Sequence, residues 1–240
     1  MRAVILAAGR GSRLGPHTDE RPKCLVEVGG RSLLDRHLAT LAEAGAGEVA
    51  VVTGYRAADL AARVPFTFHA PRWAESNMVV SLTAAAPWLC SAPCLVVYGD
   101  IFYSSATVRA LAAAPGELAI AYDPQWLELW ARRFDDPLAD AETFRLRADG
   151  TVAEIGRRAA RVEEVEGQYM GLLRFTPAAW LRVERYLGGL TPRRRDALDL
   201  TALLRALIGR GEAVHAVPRT GPWGEVDQPG DLALYDASAG

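Results

Sequence analysis

Lysine is nearly absent from this chain: of its 27 basic side chains, 26 are arginine and one, Lys23, is lysine. A compact ammonium acts as a point charge where guanidinium is a wide planar fork, so the one place that keeps lysine is informative. Cysteine is scarce as well. Cys24, Cys90 and Cys94 are odd in number, and Cys90-x-x-x-Cys94 has no second cysteine pair or nearby histidine to complete a zinc site, so reduced structural thiols are expected. No hydrophobic run reaches the roughly 18 residues that span a bilayer. Met1-Arg2 leads straight into an apolar run rather than a signal peptide, and a cytoplasmic location without membrane contact is expected. A net charge of −2 argues against a general nucleic-acid binder, which needs clustered positive charge. The one basic run, Arg193-Arg194-Arg195, reads as a solvated turn. The four histidines, His17, His37, His69 and His215, are scattered and form no triad.

What is present is enough core for one domain: 240 residues, 50% of them hydrophobic, with no internal repeat or low-complexity linker. Short apolar runs at Arg2–Ala7 and Cys94–Tyr98 read as buried strands, and Glu48–Thr53 and Phe66–His69 as two further strands. Between them lie a helix capped by Ser32, with Leu33, Leu34, Leu38 and Leu41 at helical spacing, and a short helix over 57–62. Asn77 caps a helix expected to run to Leu89, and Asp123-Pro124 reads as an N-cap followed by proline at the first helical position. That second helix carries Trp126 and Trp130 four residues apart on one face. Asp149-Gly150 signals a two-residue hairpin turn between Glu142–Leu146 and 151–155, and Gln168–Phe175 and 212–218 read as further strands around helices over 177–187 and Leu200–Ile208. The expected fold is a single α/β domain with a Rossmann-like, doubly wound mixed sheet and a small antiparallel insertion. Residues 1–120 would form mainly a nucleotide-binding half and 121–240 mainly an acceptor-binding half.

The chemistry concentrates in the glycine-punctuated loop that follows the first strand and ends at Pro22-Lys23. It is not a dinucleotide fingerprint, because Gly9-x-Gly11-x-x-Leu14 has leucine at the third glycine position, and not a Walker A loop, because Pro22 precedes the lysine and Cys24 follows it. Asp100 follows a buried strand and Gly99, at the strand end where open α/β sheets bind ligands. If residues 223–227 are extended, Trp223, Glu225 and Asp227 share one face. Two carboxylates side by side are costly without a cation, which makes a divalent-metal contact natural.

The pattern L-A-A-G-x-G-x-R-L-x-P-x-T-x-x-x-P-K, from Leu6 to Lys23, resembles the signature of the nucleotidyltransferases that activate sugar phosphates and phosphocholine. Asn77-Met-Val-Val-Ser81-Leu82, Tyr122-Asp123-x-x-Trp126, Gly167-Gln-Tyr-Met-Gly171 and Glu225-Val-Asp227 resemble the cytidylyltransferases for phosphocholine and for phosphonates such as 2-aminoethylphosphonate.

The resemblance implies that Leu6, Ala7, Ala8, Gly9, Gly11, Ser12 and Arg13 wrap the base and triphosphate of CTP. Asn77, Ser81 and Gly99 would border the nucleotide. Arg13 would grip the β- and γ-phosphates and Lys23 the reacting α-phosphate, as the catalytic pair. Asp100, Glu225 and Asp227 would hold Mg²⁺, with Mn²⁺ able to substitute. Tyr122, Asp123, Trp126 and Tyr169 would hold a small phosphate or phosphonate acceptor, while Trp130 is expected to pack the helix onto the sheet. A homodimer is compatible with the sequence. An acceptor phosphate or phosphonate is already anionic near pH 7, its second pKa being about 6, so no general base is needed. A sugar-1-phosphate nucleotidyltransferase and an inactive nucleotide-binding regulator are the competing readings. The aromatic group Tyr122, Trp126, Trp130 weighs against the first, and Arg13, Lys23, Asp100 and Asp227 together weigh against the second.

Overall fold

A computed structural model describes residues 1–236. In chain order its strands are β1 (Arg2–Ala7), β2 (Glu27–Val28), β3 (Arg31–Ser32), β4 (Glu48–Thr53), β5 (Phe66–His69), β6 (Cys94–Tyr98), β7 (Ile101–Tyr103), β8 (Leu118–Asp123), β9 (Glu142–Leu146), β10 (Val152–Arg158), β11 (Gln168–Phe175), β12 (His215–Pro218) and β13 (Trp223–Glu225). The helices are α1 (Leu33–Glu43), α2 (Ala57–Ala61), α3 (Met78–Thr83), α4 (Ala86–Leu89), α5 (Ser105–Ala112), α6 (Trp126–Arg133), α7 (Pro177–Gly188), α8 (Pro192–Asp196), α9 (Leu200–Ile208) and α10 (Pro229–Asp236).

Seven strands form the central sheet in the order β12-β8-β11-β6-β1-β4-β5. β6, β1, β4 and β5 run parallel, and β11 is antiparallel to both its neighbours. Both faces are covered over the central strands β1, β6 and β11, which is why these read as unbroken apolar runs rather than as alternating ones, while the edge strand β5 is largely exposed. Along β1, Val4 packs on one face with Leu82 of α3, Trp180 of α7 and Leu203 of α9. Ala3 and Ile5 pack on the other with Leu34 of α1, Leu111 of α5 and Trp126 of α6. A third cluster joins Leu14 and Val26 of the N-terminal loop region to Leu232 and Tyr235 of α10. Among the described residues no helix is long and apolar enough to cross a membrane. Cys24, Cys90 and Cys94 are free, and burial pushes the Cys24 thiol up to about 12.

Three local expectations are corrected. The helix capped by Asn77 stops at Thr83 and restarts at Ala86, because Pro87 has no N–H with which to continue the ladder. The turn at Asp149-Gly150 is a three-residue loop: Gly150 N–H donates to the Arg147 carbonyl at 3.0 Å, and Gly150 has φ +79°. Asp123 is the last residue of β8 and not a helix N-cap. Its carboxylate accepts from Gln125 N–H at 2.8 Å, and the helix begins at Trp126.

Candidate active site

The carboxyl ends of β1 and β6, neighbours in the sheet, aim two loops at the same place. Gly99 N–H donates to the Leu6 carbonyl at 2.9 Å, and a Cβ on Gly99 would lie 2.7 Å from that oxygen, so only glycine allows the approach. Gly11, at φ +71°, lies against the aliphatic stem of Lys23, where a Cβ would sit 2.7 Å from the lysine Cδ. The loop is tied back by the Thr18 hydroxyl, which donates to the carbonyls of Gly11 (3.1 Å) and Gly15 (3.2 Å). Glycine at position 11 and lysine at 23 are thus one packing unit.

Asp100 leads directly into β7, which pairs antiparallel with β13 in the register Ile101↔Glu225 and Tyr103↔Trp223. Val226 N–H closes the ribbon on the Asp100 carbonyl at 2.9 Å. This pairing carries Glu225 and Asp227 to Asp100, and one carboxylate oxygen of each lies within 4.8 Å of the others. Lys23 Nζ donates to Asp100 Oδ2 at 2.7 Å and also to Asp227 Oδ1, while the Arg13 guanidinium lies 2.9 Å from Asp227 Oδ2. Arg133 Nη1 donates to Glu225 Oε2 at 3.0 Å.

These contacts drive the two neighbouring acids apart. Burial, reinforced by Asp227 and Asp100, raises the Glu225 pKa. Burial also works against the charge on Asp227, but Lys23 and Arg13 outweigh it and hold that carboxyl below its ordinary range. Lys23 is likewise opposed by burial and rescued by Asp100 and Asp227, so its pKa stands above that of a free lysine. Asp100 Oδ1 is buried and has no hydrogen-bond partner. Three carboxylates and an uncommitted oxygen form an all-oxygen donor set, which suits a hard divalent cation such as Mg²⁺ or Mn²⁺.

Two cavities meet at this cluster. The first, of about 290 Å³, is walled by Leu6, Ala7, Ala8, Gly9, Gly11, Arg13, Lys23, Asn77, Ser81, Gly99 and Asp100. Of the residues expected around the nucleotide only Ser12 is left out; it is exposed at the start of a 3-10 turn. Trp73, Ser76, Met78 and Tyr98 complete the wall and were missed, although Ser76 and Met78 flank Asn77. Asn77 does cap its helix, its side-chain oxygen accepting from Met78 N–H at 2.7 Å.

The second cavity, of about 260 Å³, contains Tyr98, Trp130, Asp140, Glu142, Gln168, Tyr169, Asp199, Thr201 and Trp223 in its wall and shares Arg13 with the first. Glu225 and Asp227 lie on its rim toward the first cavity. Here the expectations divide. Tyr169 lines the cavity. Its ring is edge-on to Tyr98 at 5.8 Å, and its buried hydroxyl comes near that of Tyr98 outside hydrogen-bond geometry. Tyr122, Asp123 and Trp126 do not line it. Tyr122 stacks on Phe144, ring centroids 5.0 Å apart. Asp123 is 1% exposed, and its oxygens accept from Arg219 Nε at 2.6 Å and Trp223 Nε1 at 2.7 Å. Trp126 is buried, with its indole N–H donating to the Val165 carbonyl at 3.0 Å. Trp130, one turn on, is the tryptophan that reaches the cavity, facing Trp223 at 6.0 Å. Asp140, Glu142 and Asp199 had no local signal; Asp199 is the N-cap of α9, accepting from Ala202 N–H at 2.7 Å.

Sheet order, loop and acid cluster together define a nucleotidyltransferase built on a Rossmann-like α/β fold. The chain belongs to the MobA-like NTP transferase domain family, whose model matches residues 3–162. It is 34% identical to the CTP:phosphoglutamine cytidylyltransferase of Campylobacter jejuni over 98% of both chains. It is 31% identical to the CMP-5'-(3-aminopropyl)phosphonate synthase of Streptomyces rubellomurinus, over 98% of this chain and 38% of that protein. The inositol-1-phosphate CTP transferase of T. maritima superimposes with a TM-score of 0.76 at 19% identity, covering 98% of this chain and 93% of that one, which bears on the fold alone. The chain is therefore an enzyme of the nucleotidyltransferase class, of the cytidylyltransferase type named in its relatives.

Proposed function

We propose that this enzyme joins CTP to a small phosphate or phosphonate whose tail carries an ammonium group, releasing pyrophosphate and a CMP-activated product. The observation that carries the reading is the charge of the second cavity. Beyond Glu225 and Asp227 it holds Asp140, Glu142 and Asp199, with Arg13 as the one cationic side chain among the described residues that line it. Burial raises the pKa of Glu142, as does the neighbouring Asp199, and burial likewise raises Asp140. An ammonium placed among them relieves that cost, which the uncharged sugar ring of a hexose 1-phosphate cannot do. The rings of Tyr98, Tyr169, Trp130 and Trp223 supply walls that attract a cation by about 0.5–2 kcal/mol per good contact. The acceptor-side residues of this reading are therefore Tyr169, Trp130, Glu142 and Asp199. The relatives named for phosphoglutamine and for an aminopropyl phosphonate support an amine-bearing acceptor.

In the reaction an acceptor oxygen forms a bond to the α-phosphorus while the bond from that phosphorus to the pyrophosphate oxygen breaks. The attacking oxygen is already anionic near neutral pH, and the chain's work is to position and to neutralise charge. Lys23, between the two cavities, exchanges a carboxylate partner for an α-phosphate oxygen. Arg13 turns from Asp227 toward the outer phosphates. Asp100, Glu225 and Asp227 would hold Mg²⁺ or Mn²⁺, which would supply positive charge against the triphosphate. Gly9, Gly11 and Gly99 keep the backbone low enough for the nucleotide to lie on it.

The test is pyrophosphate release over a grid of CTP, UTP, ATP and GTP against 2-aminoethylphosphonate, phosphocholine, 2-hydroxyethylphosphonate and glucose 1-phosphate. CTP with an amine-bearing acceptor should give the highest kcat/KM. A preference for glucose 1-phosphate, or for the hydroxyl over the amine, would sink the reading.

A further inference from the structure

Arg133 touches neither cavity, yet both late carboxylates of the metal cluster hang from it. Its side chain is 1% exposed. Nη1 donates to Glu225 Oε2 at 3.0 Å, while Nε and Nη2 clasp Asp231 at 2.9 and 3.1 Å. Asp231 Oδ2 in turn accepts from the backbone N–H of Asp227 at 2.8 Å and of Gln228 at 3.1 Å. One guanidinium thus fixes the Glu225 side chain directly and the Asp227 main chain through Asp231. The guanidinium carbon also lies 5.1 Å from the ring centroid of Trp130, one turn back on α6.

We propose that Arg133 is a positioning residue for the divalent cation, setting the spacing of Glu225 and Asp227 without contacting metal or nucleotide. This rests on the assignment of Asp100, Glu225 and Asp227 as the metal site. Two effects of Arg133 oppose each other. Its positive charge repels a cation, and its planar fork holds two ligands in place. The fork dominates because each of its three nitrogens is committed and the side chain is buried, so losing it leaves Asp231 without its counter-charge and Glu225 without its clasp. Loss of such an outer contact typically weakens metal binding by roughly 10–100-fold.

Arg133→Lys separates the two effects, since it keeps the charge and removes the fork. Mn²⁺ binding would be titrated by electron paramagnetic resonance in the presence of CTP and the absence of acceptor, so that no turnover is read. Arg133→Lys and Asp231→Asn should each weaken Mn²⁺ binding at least tenfold, with thermal unfolding of both used to set the folded fraction. In a Glu225→Gln background the further loss from Arg133→Lys should shrink. Should Arg133→Met fail to fold, the lysine and asparagine variants still decide. Wild-type affinity within twofold in both overturns the inference while leaving the metal site standing. Tighter Mn²⁺ binding by Arg133→Met, with Arg133→Lys unchanged, overturns it in favour of a charge effect. If the wild-type complex with CTP binds no Mn²⁺, the metal assignment falls and this inference with it.

Discussion

The two cavities are built by different rules. The first takes one side from the glycine-punctuated stretch 6–13, with Lys23 and Cys24 close behind, and completes its wall from residues 73–81 and 98–100. The second draws its wall from α3, the ends of β6 and β11, α6, the start of β9, the N-terminus of α9 and β13, and its polar character comes from side chains alone. A wall anchored on one glycine-punctuated loop suits a ligand shared by many enzymes. A wall of side chains from distant segments can be respecified one residue at a time, which suits the half of the reaction that differs between relatives.

That contrast can be broken most severely where the cavities meet. Asp100→Ala, or excess EDTA on the unaltered enzyme, should lower pyrophosphate release by at least ~10³-fold, since several kcal/mol of charge neutralisation disappear. Full activity in EDTA removes the metal from the scheme. Lys23→Arg keeps the charge but should cost about 10²-fold in kcat with little change in melting temperature, because the fork cannot take an ammonium's place at one phosphate oxygen. A variant with normal turnover would detach Lys23 from the chemistry.

On the acceptor side the expected effects are smaller and more selective. Glu142→Gln should raise the KM for an amine-bearing acceptor roughly tenfold, about 1.4 kcal/mol, and leave both the CTP KM and the KM for 2-hydroxyethylphosphonate unchanged. The tryptophans should divide in parallel: Trp130→Ala raises acceptor KM, whereas Trp126→Ala lowers stability by about 3–5 kcal/mol, as for a buried aromatic. Equal KM shifts for both acceptors on Glu142→Gln would point to a general distortion.

The smallest effect lies beneath both cavities. His37 is buried on α1 with Nδ1 3.1 Å from the Tyr103 hydroxyl, and burial lowers its pKa to about 4. The unfolded chain, with a histidine pKa near 6.5, therefore binds more protons than the folded one between those values, so this contribution to stability is present above pH ~6.5 and declines toward pH ~4. From pH 7 to pH 6 it should cost somewhat less than ~1 kcal/mol, read as a fall in urea midpoint that is smaller in His37→Gln. An identical fall in both proteins would assign the pH dependence elsewhere.

The same contrast governs what could be read from sequence. β1, β4, β5, β6, β9 and β11 form with the expected bounds; β1, β4, β6 and β11 declare themselves as buried apolar runs, whereas β5 is a largely exposed edge strand and β9 is mixed in polarity. Glu225 and Asp227 were legible from alternation with Trp223. β8 was hidden by Asp123-Pro124, whose strong resemblance to a helix start outweighed the apolar run before it, and the helix starts two residues after the proline. The phase of Trp126 and Trp130 was readable, but which of them meets the cavity depends on Trp223, 93 residues later, and on the carbonyl of Val165. Arg133 carried no local signal at all, being one of 26 arginines whose partners lie nearly a hundred positions away.

The ribbon of β7 with β13 has a consequence for how the chain comes into being. Lys23 and Asp100 precede the other two carboxylates by more than a hundred residues, and the family match itself ends at residue 162, before either of them. A fragment that stops there owns a nucleotide loop but one acid of the three. On the ribosome, at roughly 5–20 residues per second, the interval between synthesis of Asp100 and of Asp227 is about 6–25 s. Until residue 227 has been made and β13 has paired with β7, nothing carries Glu225 and Asp227 to Asp100, so the three-carboxylate cluster is the last part of the site to be completed.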